Sequence, residues 1–419
     1  MKVGIIGVGT VGASVANILR DNKDIITARA GCEITPVIGV VNNLSKDRDV
    51  TIELTDDIEK VLNDDSIDII VELMGGIEKP YEVVKKALAN GKAVVTANKA
   101  LLAYHRYELQ DLAGNTPFEY EAAVAGGIPI INALREGLTA NHILSIRGIM
   151  NGTCNYMLTK MINEGVDYDT ILKESQELGY AEADPTFDVG GFDAAHKLLI
   201  LGSIAYGIDA KPEDILIEGI QDIAPEDIDF ANEFDYAIKL LTIAKKVGSE
   251  IELRVHPVFI PNSEMISKVE GVMNGVSVIG DKVGETMYYG PGAGGDATAS
   301  AVIANIVDIA RRGKGSPMLG FESTYGEDLK LMSKDDIQTK YYLRLRVEDK
   351  VGVLARIATI LGNKNISIEK MMQKPLNRTC AHILLSTHTS IEKDVVEALI
   401  EIEKMADITA KPVMIRIED

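Results

Sequence analysis

The chain has 419 residues, of which 46% are hydrophobic and 25% are charged, the composition of a soluble globular protein. At about 150 residues per domain, this length predicts two or three domains. Its net charge of -20 argues against nucleic acid as a partner, because proteins that bind a polyanion need a basic surface. Three distant cysteines (Cys32, Cys154 and Cys380) and the absence of any run of ~18 apolar residues indicate a cytoplasmic protein with no membrane partner.

Residues 1 to about 150 alternate predicted strands and helices. The apolar run KVGIIG leads into a helical stretch, and further strands are predicted in EITPVIGVV (33–41), IDIIVELMGG (67–76), KAVVTAN (92–98) and PFEYEAAVAG (117–126). Helical periodicity fills the gaps, as in YEVVKKALANG, where Gly91 marks a helix end. This alternation predicts an α/β fold with a doubly wound parallel sheet of the Rossmann type and a ligand at its carboxyl edge.

A G-x-G-x-x-G motif follows the first predicted strand and opens the first helix. Gly7 permits a tight turn, Gly9 lets the backbone approach a pyrophosphate, and Gly12 allows close helix–strand packing. We expect the phosphates of a dinucleotide at this helix N-terminus, beside Thr10 and Val11. We also assign Gly75, at the end of a later strand, to the cofactor site. The alternative is a glycine-rich turn without a ligand.

The residues after the second strand bear on which dinucleotide binds. NAD sites usually have an acidic residue here that accepts from the ribose hydroxyl, but this chain has Asn42 and Asn43, followed by Lys46 and Arg48. The lack of an acid and the two nearby cations favour NADP over NAD. The alternative is that both cations are solvated loop charges.

The segment EADPTFDVGGFDAAHK (182–197) interleaves four carboxylates and a lysine with glycines and alanines. Pro185 disfavours helix before it, so we expect a loop over 182–191 and a helix from Asp193. Asp193 and Lys197 are four residues apart and share a helix face. The simplest interpretation of this pair is an i,i+4 salt bridge.

The apolar helix after Lys197 favours a second interpretation. Such a helix is buried, and a buried lysine needs partners or a function. Clustered acids bind an ammonium group, while a lysine exchanges a proton with an oxygen. The segment therefore predicts a substrate with an amino group at one end and an alcohol or aldehyde at the other.

Six segments together resemble the homoserine dehydrogenase family: GIIGVGTVG, TANKALLA, EAAVAGGIPII, MNGTCNYML, GYAEADPTFDVGGFDAAHKL and GPGAGGDATASAV. The resemblance covers residue 1 to about 315. It implies NAD(P)-dependent interconversion of L-homoserine and L-aspartate 4-semialdehyde, a step in threonine and methionine biosynthesis.

The resemblance also implies roles for individual residues. Lys197 becomes the acid/base at the reacting oxygen, and Lys99 a second lysine near cofactor and substrate. The substrate site would comprise Tyr180, Glu182, Asp188, Asp193 and Lys197. Gly179 and Gly294 would join the cofactor site. A monovalent cation such as sodium would bind oxygens of Glu121, Val124, Gly126 and Ile128.

Two other functions fit parts of the pattern. Aspartate-semialdehyde dehydrogenase acts on the same semialdehyde with a Rossmann domain, and Cys154 would be its thiol nucleophile, with His196 or Arg147 as candidate partners. That chemistry leaves the paired lysines without a role, and Cys154 is interpreted as a packed residue. A catalytically silent sensor of amino acids and NADP would need neither Lys99 nor Lys197.

The last part of the chain predicts a separate domain. After a polar linker at 316–340, residues 341–419 read β-α-β-β-α-β, a ferredoxin-like plan. VEDKVGVLARIATIL resembles the start of an ACT domain, a family whose members commonly pair and bind amino acids. We assign Asp349, Gly352 and Asn365 to a threonine effector site. The alternative is a dimerisation module without a ligand.

The predicted domains are as follows: an NAD(P)-binding domain at 1–146, completed by a helix at about 295–315; a substrate-binding and dimerisation domain at 147–294; the linker; and the ACT domain at 341–419. We expect a homodimer or a higher homo-oligomer.

Overall fold

The structure is a computed structural model that describes residues 1–313, 317–323 and 328–418. The chain divides into two compact units. The first contains residues 1–146, 194–214 and 273–329, and the second contains 147–193, 215–272 and 330–419. The predicted domain boundaries are untested and stay predictions.

The helices and strands have the following bounds. The helices are α1 Thr10–Asp21, α2 Lys23–Ala30, α3 Ile58–Leu62, α4 Glu78–Ala89, α5 Lys99–Ala113, α6 Ile130–Asn132, α7 Gly152–Glu164, α8 Tyr168–Glu177, α9 Thr186–Val189, α10 Phe192–Tyr206, α11 Pro225–Glu233, α12 Gly295–Arg312, α13 Val353–Asn363 and α14 Glu392–Glu403. The strands are β1 Lys2–Ile6, β2 Thr35–Val40, β3 Glu53–Thr55, β4 Ile69–Glu72, β5 Ala93–Thr96, β6 Phe118–Glu119, β7 Ile143–Ile149, β8 Leu216–Ile217, β9 Tyr236–Val247, β10 Glu250–Pro261, β11 Met273–Gly280, β12 Gly284–Pro291, β13 Lys330–Leu331, β14 Gln338–Glu348, β15 Ile368–Pro375, β16 Cys380–Thr387, β17 Ser390–Ile391 and β18 Val413–Ile417.

The first unit is built on a parallel sheet in the order β3-β2-β1-β4-β5-β6. Val3, Ile5 and Ile6 of β1 are fully buried, because a central parallel strand is covered on both faces. The order reverses between β1 and β4, and a doubly wound sheet binds its ligand at the carboxyl edge of such a switch point. The predicted Rossmann fold is confirmed.

The second unit contains an antiparallel pair, β9 and β10, joined to the C-terminal strands. Strand β10 runs parallel to β18, with Val258 opposite Arg416 and Phe259 opposite Ile417. Beyond β18 the order continues β14-β16-β15, with antiparallel neighbours. The C-terminal sheet is thus continuous with strands of the preceding domain.

The C-terminal elements follow the order β14-α13-β15-β16-α14-β18, with the short β17 before α14. Helices α13 and α14 cover one face of the sheet, and their apolar side chains (for example Ile357, Leu361 and Ile402) are buried against it. The predicted ferredoxin-like plan is confirmed.

Four predicted segments differ in detail from the structure. The strand predicted at 117–126 is limited to β6 and is followed by a 3-10 turn at Glu121–Ala123. Helix α12 ends at Arg312, and the predicted extension to 314–315 lies outside the described residues, as do 316 and 324–327 of the predicted linker. The linker's last residues are already strand, because β14 begins at Gln338. The loop predicted over 182–191 contains the single turn α9, where the Asp184 carboxylate accepts from the Thr186 N–H at 3.1 Å, and α10 begins at Phe192.

None of the helices in the described part of the chain combines the length and the apolar character that crossing a bilayer requires.

Candidate active site and cofactor cleft

The three glycines of the loop between β1 and α1 have different structural roles. Gly7 has φ 104°, in the left-handed region, so any side chain there would strain the turn. A Cβ on Gly12 would lie 2.3 Å from the Gly7 carbonyl oxygen, so helix and loop pack in direct contact. A Cβ on Gly9 would meet no atom within 4 Å. Gly9 therefore faces open space, as an approach route for a ligand requires.

A cleft of about 350 Å³ opens at this edge of the sheet. It lies along the carboxyl ends of β1, β2 and β4, the switch point of the fold. Its lining consists of Ile6, Gly7, Val8, Gly9, Val40, Val41, Asn42, Asn43, Arg48, Ile58, Leu73, Met74, Gly75 and Lys79. Gly7, Gly9, Arg48 and Gly75 are among the residues predicted for the cofactor, and Thr10 and Val11 begin the adjacent α1. The cleft and its open helix N-terminus fit a dinucleotide.

Arg48 is held at the wall of this cleft by backbone carbonyls. Its Nε donates to the Val8 oxygen at 2.9 Å, and its Nη1 donates to the Asn43 and Lys46 oxygens at 2.8 and 2.9 Å. Lys46 itself is exposed on the loop that Arg48 ties down. Lys79, at the start of α4, also lines the cleft and was not among the predicted residues.

Gly294 precedes α12, which packs against α1 in the same unit. Its φ is 128°, a conformation that favours glycine. A Cβ on the next residue, Gly295, would lie 2.8 Å from Ser14 Oγ of α1. The turn at Gly294 therefore closely approaches the helix that begins at the glycine loop.

A buried carboxylate at the end of β4 organises the neighbouring loops. Glu72 accepts from the Met74 N–H at 2.6 Å and from Thr96 Oγ1 at 2.6 Å. Thr96 Oγ1 in turn accepts from the Asn98 N–H at 3.0 Å. Burial raises the pKa of Glu72 to about 7, against the lowering effect of these bonds. Glu72 thus joins the cleft-lining 73–75 turn to the end of β5.

Asn98 extends this network to Lys99. Its side chain donates to the Gly76 oxygen at 2.9 Å and caps α5 by accepting from the Leu101 N–H at 3.0 Å. Lys99 is the first residue of α5 and is half-buried. Glu72 is not among the residues predicted from the sequence, although an acid that ends the apolar strand IIVE is an available signal.

We expect Glu72→Gln to remove a pH-dependent loss of stability. The folded-state pKa lies above the ordinary value, so the stabilisation is present at low pH and is lost as pH rises through about 7. As pH rises, the free energy of unfolding of the wild type should fall by on the order of 3 kcal/mol, and that of the variant should not. Urea unfolding at pH 5 and pH 8 measures this: the advantage of the variant should grow with pH. The exposed Glu78→Gln is the matched control, and parallel pH profiles for wild type and Glu72→Gln would contradict the prediction.

In the second unit one amide joins two of the predicted substrate acids. Asn151 Nδ2 donates to Asp188 Oδ1 at 2.8 Å and to Asp193 Oδ2 at 2.9 Å. Its Oδ1 accepts from the Cys154 N–H at 2.8 Å and so caps α7. Asp193 is only 3% exposed, whereas Asp188 is half-buried. Asn151 is not among the residues predicted from the sequence, although its position before a helical stretch is the usual signal of an N-cap.

The other predicted substrate residues form an exposed stretch before α9. The backbone carbonyl oxygen of Tyr180 accepts from Thr153 Oγ1 at 2.6 Å. The Tyr180 ring packs edge-on against the Tyr156 ring, with centroids 5.0 Å apart. Gly179 has φ 76°, and Glu182, an exposed residue, accepts at its backbone oxygen from Gln176 Nε2 at 3.0 Å. Their predicted roles stay predictions.

Helix α10 carries the predicted acid/base. Lys197 is 8% exposed, four residues after Asp193 on the same helix, as the apolar sequence of α10 predicted. A lysine in so apolar a helix is costly to bury, because its ammonium group loses water. The placement is unusual for a purely structural residue.

Cys154 has the surroundings of a packed residue. It is fully buried, and its thiol donates to the Asp188 backbone oxygen at 3.3 Å. Arg147 pairs with Glu264 at 2.9 Å, and His196 packs edge-on against Tyr104, with centroids 5.6 Å apart. These contacts give no support to a thiol nucleophile.

The predicted cation residues lie in one turn of the first unit. Glu121 is buried, accepts from the Ile131 and Asn132 N–H groups at 2.8 and 2.7 Å, and has a pKa raised to about 7 by burial. Ala125 and Gly126 both have φ 55°, which turns the chain sharply between Val124 and Ile128. Among the described residues no group of three or more His, Cys, Asp or Glu side chains could hold a metal. Both carboxylate oxygens of Glu121 already accept N–H bonds, and the predicted cation site stays a prediction.

The structure separates the predicted effector residues. Asp349 and Gly352 precede α13, and Asp349 accepts from Gln373 Nε2 at 3.3 Å. Asn365 follows the other end of α13, an 11-residue helix, which is about 16 Å long at 1.5 Å per residue. An amino acid held at the first turn of α13 therefore does not reach Asn365 of the same chain.

Comparisons with known proteins agree with this geometry. Family models match the NAD-binding domain of homoserine dehydrogenase over residues 7–121, homoserine dehydrogenase over 129–307 and the ACT domain over 341–407. A homoserine dehydrogenase of Helicobacter pylori is 54% identical, with 100% of this chain and 99% of that protein covered.

Two solved structures extend the comparison. One of a homoserine dehydrogenase from Thiobacillus denitrificans superposes with a TM-score of 0.93 at 46% identity, over 100% of this chain and 98% of that one. A hyperthermophilic archaeal homoserine dehydrogenase in complex with NADPH has a TM-score of 0.61 at 27% identity, over 73% of this chain and 96% of that one. The chain belongs to the homoserine dehydrogenase family of NAD(P)-dependent oxidoreductases.

Proposed function

We propose that the enzyme reversibly interconverts L-homoserine and L-aspartate 4-semialdehyde, on the route to threonine and methionine. The observation that carries this proposal is helix α10, where a buried lysine follows a buried aspartate by one turn. A substrate with an ammonium group and a reacting oxygen a few bonds away matches that pair of charges.

Each group then has a chemical task. Asp188 and Asp193, tied together by Asn151, hold the substrate's α-ammonium group, with Glu182 and Tyr180 at the exposed rim. Lys197 takes the proton from the hydroxyl when homoserine is oxidised and returns it to the oxygen in the reverse direction. Lys99 supports the cofactor and substrate from the start of α5. The bound nicotinamide supplies or accepts the hydride.

We infer that NADP is the preferred cofactor. Asn42 and Asn43 stand where an NAD enzyme usually has an acid, and Arg48 lines the same wall of the cleft. The NADPH complex of the archaeal relative adds support. Gly179 and Gly294 complete the proposed cofactor contacts.

We expect Lys46→Ala combined with Arg48→Ala to weaken NADP more than NAD, because only NADP carries a 2′-phosphate. The KM for NADP should rise about tenfold or more, which is the scale of one charge-assisted contact to a phosphate. KM values for the two cofactors at saturating homoserine measure it. Lys79→Ala is the matched control: Lys79 lines the cleft but follows the glycines of the 75–76 turn, so it should affect both cofactors similarly. Equal losses in the double variant would mean that the pair does not recognise the phosphate.

We also propose that a monovalent cation such as sodium binds Glu121 and the backbone oxygens of Val124, Gly126 and Ile128. A cation beside Glu121 would offset the burial that raises the pKa of this carboxylate. Its role would be structural, since it would hold the turn that follows the Rossmann sheet.

For regulation, we propose that threonine binds the ACT domain at the turn containing Asp349 and Gly352. Gly352 has φ 84° and exposes backbone at the start of α13, a suitable place for an amino acid's carboxylate. The strand order ends at β15, where Met371 is 44% exposed, and this edge suits pairing of two copies in a cytoplasmic homodimer.

The direct test is steady-state turnover of the purified enzyme with homoserine and each nicotinamide cofactor, with and without threonine. We expect reduction of NADP with the higher kcat/KM, and inhibition by threonine. Failure to reduce either cofactor would overturn the proposed reaction. Turnover without threonine inhibition, and without threonine binding by calorimetry, would leave pairing as the role of the ACT domain.

A further inference from the structure

The last strand of the ACT domain contributes a buried arginine that bonds outside that domain. Arg416 of β18 is fully buried. Its Nη1 and Nη2 donate to Glu218 Oε2 and Oε1 at 2.7 and 3.0 Å, and its Nε donates to Glu392 of α14 at 2.9 Å. Paired, charge-assisted bonds of this kind fix orientation as well as distance. These bonds tie Glu218 to the last strand of the ACT domain.

Glu218 is the first residue of the segment 218–220, which packs against the chain between the two predicted substrate acids. Its own N–H donates to the Val255 oxygen of β10 at 2.8 Å. Two residues later, the Ile220 N–H donates to the Val189 oxygen at 3.0 Å. A Cβ on Gly219 would lie 2.3 Å from that same oxygen, so the two backbones are in contact.

The contacted residues lie between the two acids in the chain. Gly191 has φ 85°, and a Cβ there would lie 3.2 Å from the Glu218 backbone oxygen. Residues 218–220 thus pack against 189–191, which connect Asp188 to Asp193. A shift of 218–220 would change the spacing of the acids that Asn151 bridges.

We propose that Arg416 is a positioning residue for substrate binding, acting through Glu218 and the 218–220 segment on Asp188 and Asp193. The inference rests on the proposed role of these two acids. It places a requirement for the C-terminal strand in the binding of homoserine, independent of any effector. Removal of the ACT domain would also remove β18, which pairs with β10, so a truncation would change both domains at once.

A second buried ion pair at the same end of β18 provides a matched control. Arg254 of β10 is fully buried and bonds Glu418, directly after β18, at 2.8 Å, and Glu252 at 3.2 Å. Glu418→Gln and Glu218→Gln each remove one carboxylate from a buried arginine. Both changes are isosteric, and both act where β18 meets the preceding domain.

The experiment compares KM for homoserine, KM for NADP, kcat and Tm of the two full-length variants. Glu218→Gln should raise the homoserine KM about three- to tenfold, the effect of weakening one charge-assisted bond that positions a binding group, and leave the NADP KM unchanged. Glu418→Gln should lower Tm but keep the homoserine KM within about twofold of wild type. A homoserine KM unchanged by Glu218→Gln, or raised equally by both variants, would overturn the inference.

A double-variant cycle tests the route itself. Residues that act independently have additive effects, whereas residues on one route do not. Glu218→Gln and Asn151→Ser should be non-additive in homoserine KM, and additivity would contradict the proposed connection. Asp188→Asn separates the two hypotheses: if it leaves the homoserine KM unchanged, the acid assignment fails and the inference with it. A large effect of Asp188→Asn with none from Glu218→Gln overturns the inference alone.

Discussion

Lys197→Ala should lower kcat by about 10²-fold or more, the usual scale for loss of a general acid or base. Alanine fits in place of the lysine and favours helix, and the residues of α10 that follow it are almost all apolar, so the helix should survive the change. Without the neutral lysine amine the hydroxyl proton has no acceptor positioned to take it as the hydride leaves. Because the step is chemical, kcat should fall more than KM rises.

The control for this prediction is Lys211→Ala, which removes an exposed lysine in the same unit and should leave kcat unchanged. Circular dichroism and Tm establish that both variants are folded. Restoration of part of the Lys197→Ala activity by added small amines would identify the missing group as a proton carrier. A Lys197→Ala enzyme with wild-type kcat would show that the lysine is only structural.

The parts of the fold that could be predicted from sequence have local signals. The glycine spacing predicts the turn after β1, because Gly7 has a positive φ and because a side chain at Gly12 would clash with the Gly7 carbonyl oxygen. The apolar strand-helix alternation then predicts the parallel sheet around it. The burial of Lys197 could be predicted from a local signal as well, because the residues of α10 that follow it are almost all apolar.

The parts that were missed depend on contacts between residues far apart in sequence. Asn151 bonds acids 37 and 42 residues away, and Glu72 bonds Thr96, 24 residues away. Arg416 and Glu218 are separated by 198 residues. Periodicity and motif spacing carry no information about such pairs. The same limit explains Asn365: its proximity to Asp349 and Gly352 was assumed, and the length of α13 excludes it within one chain.

Asn151→Asp should lower kcat/KM for homoserine by about 10²-fold or more at neutral pH. The change keeps the shape of the side chain, and the remaining oxygen can still accept from the Cys154 N–H and cap α7. It replaces the two N–H bonds to Asp188 and Asp193 by a third carboxylate within about 3 Å of both. While it is ionised, the third carboxylate repels Asp188 and Asp193 and drives them apart, so the cluster no longer holds the ammonium group in place. A loss of this size corresponds to ~3 kcal/mol, the scale of breaking a buried hydrogen-bonded network.

The pH dependence distinguishes this electrostatic effect from simple loss of a cap. With Asn151→Asp the added carboxyl group can donate to one acid once it is protonated, so its deficit relative to wild type should shrink as pH falls from 8 to 6. Asn151→Ser is the control, because serine also caps a helix but does not reach both acids, and its deficit should be smaller and independent of pH over that range. If the two variants lose the same activity with the same pH profile, Asn151 matters for capping α7 alone. If Asn151→Asp keeps wild-type kcat/KM, Asp188 and Asp193 do not bind the substrate's ammonium group.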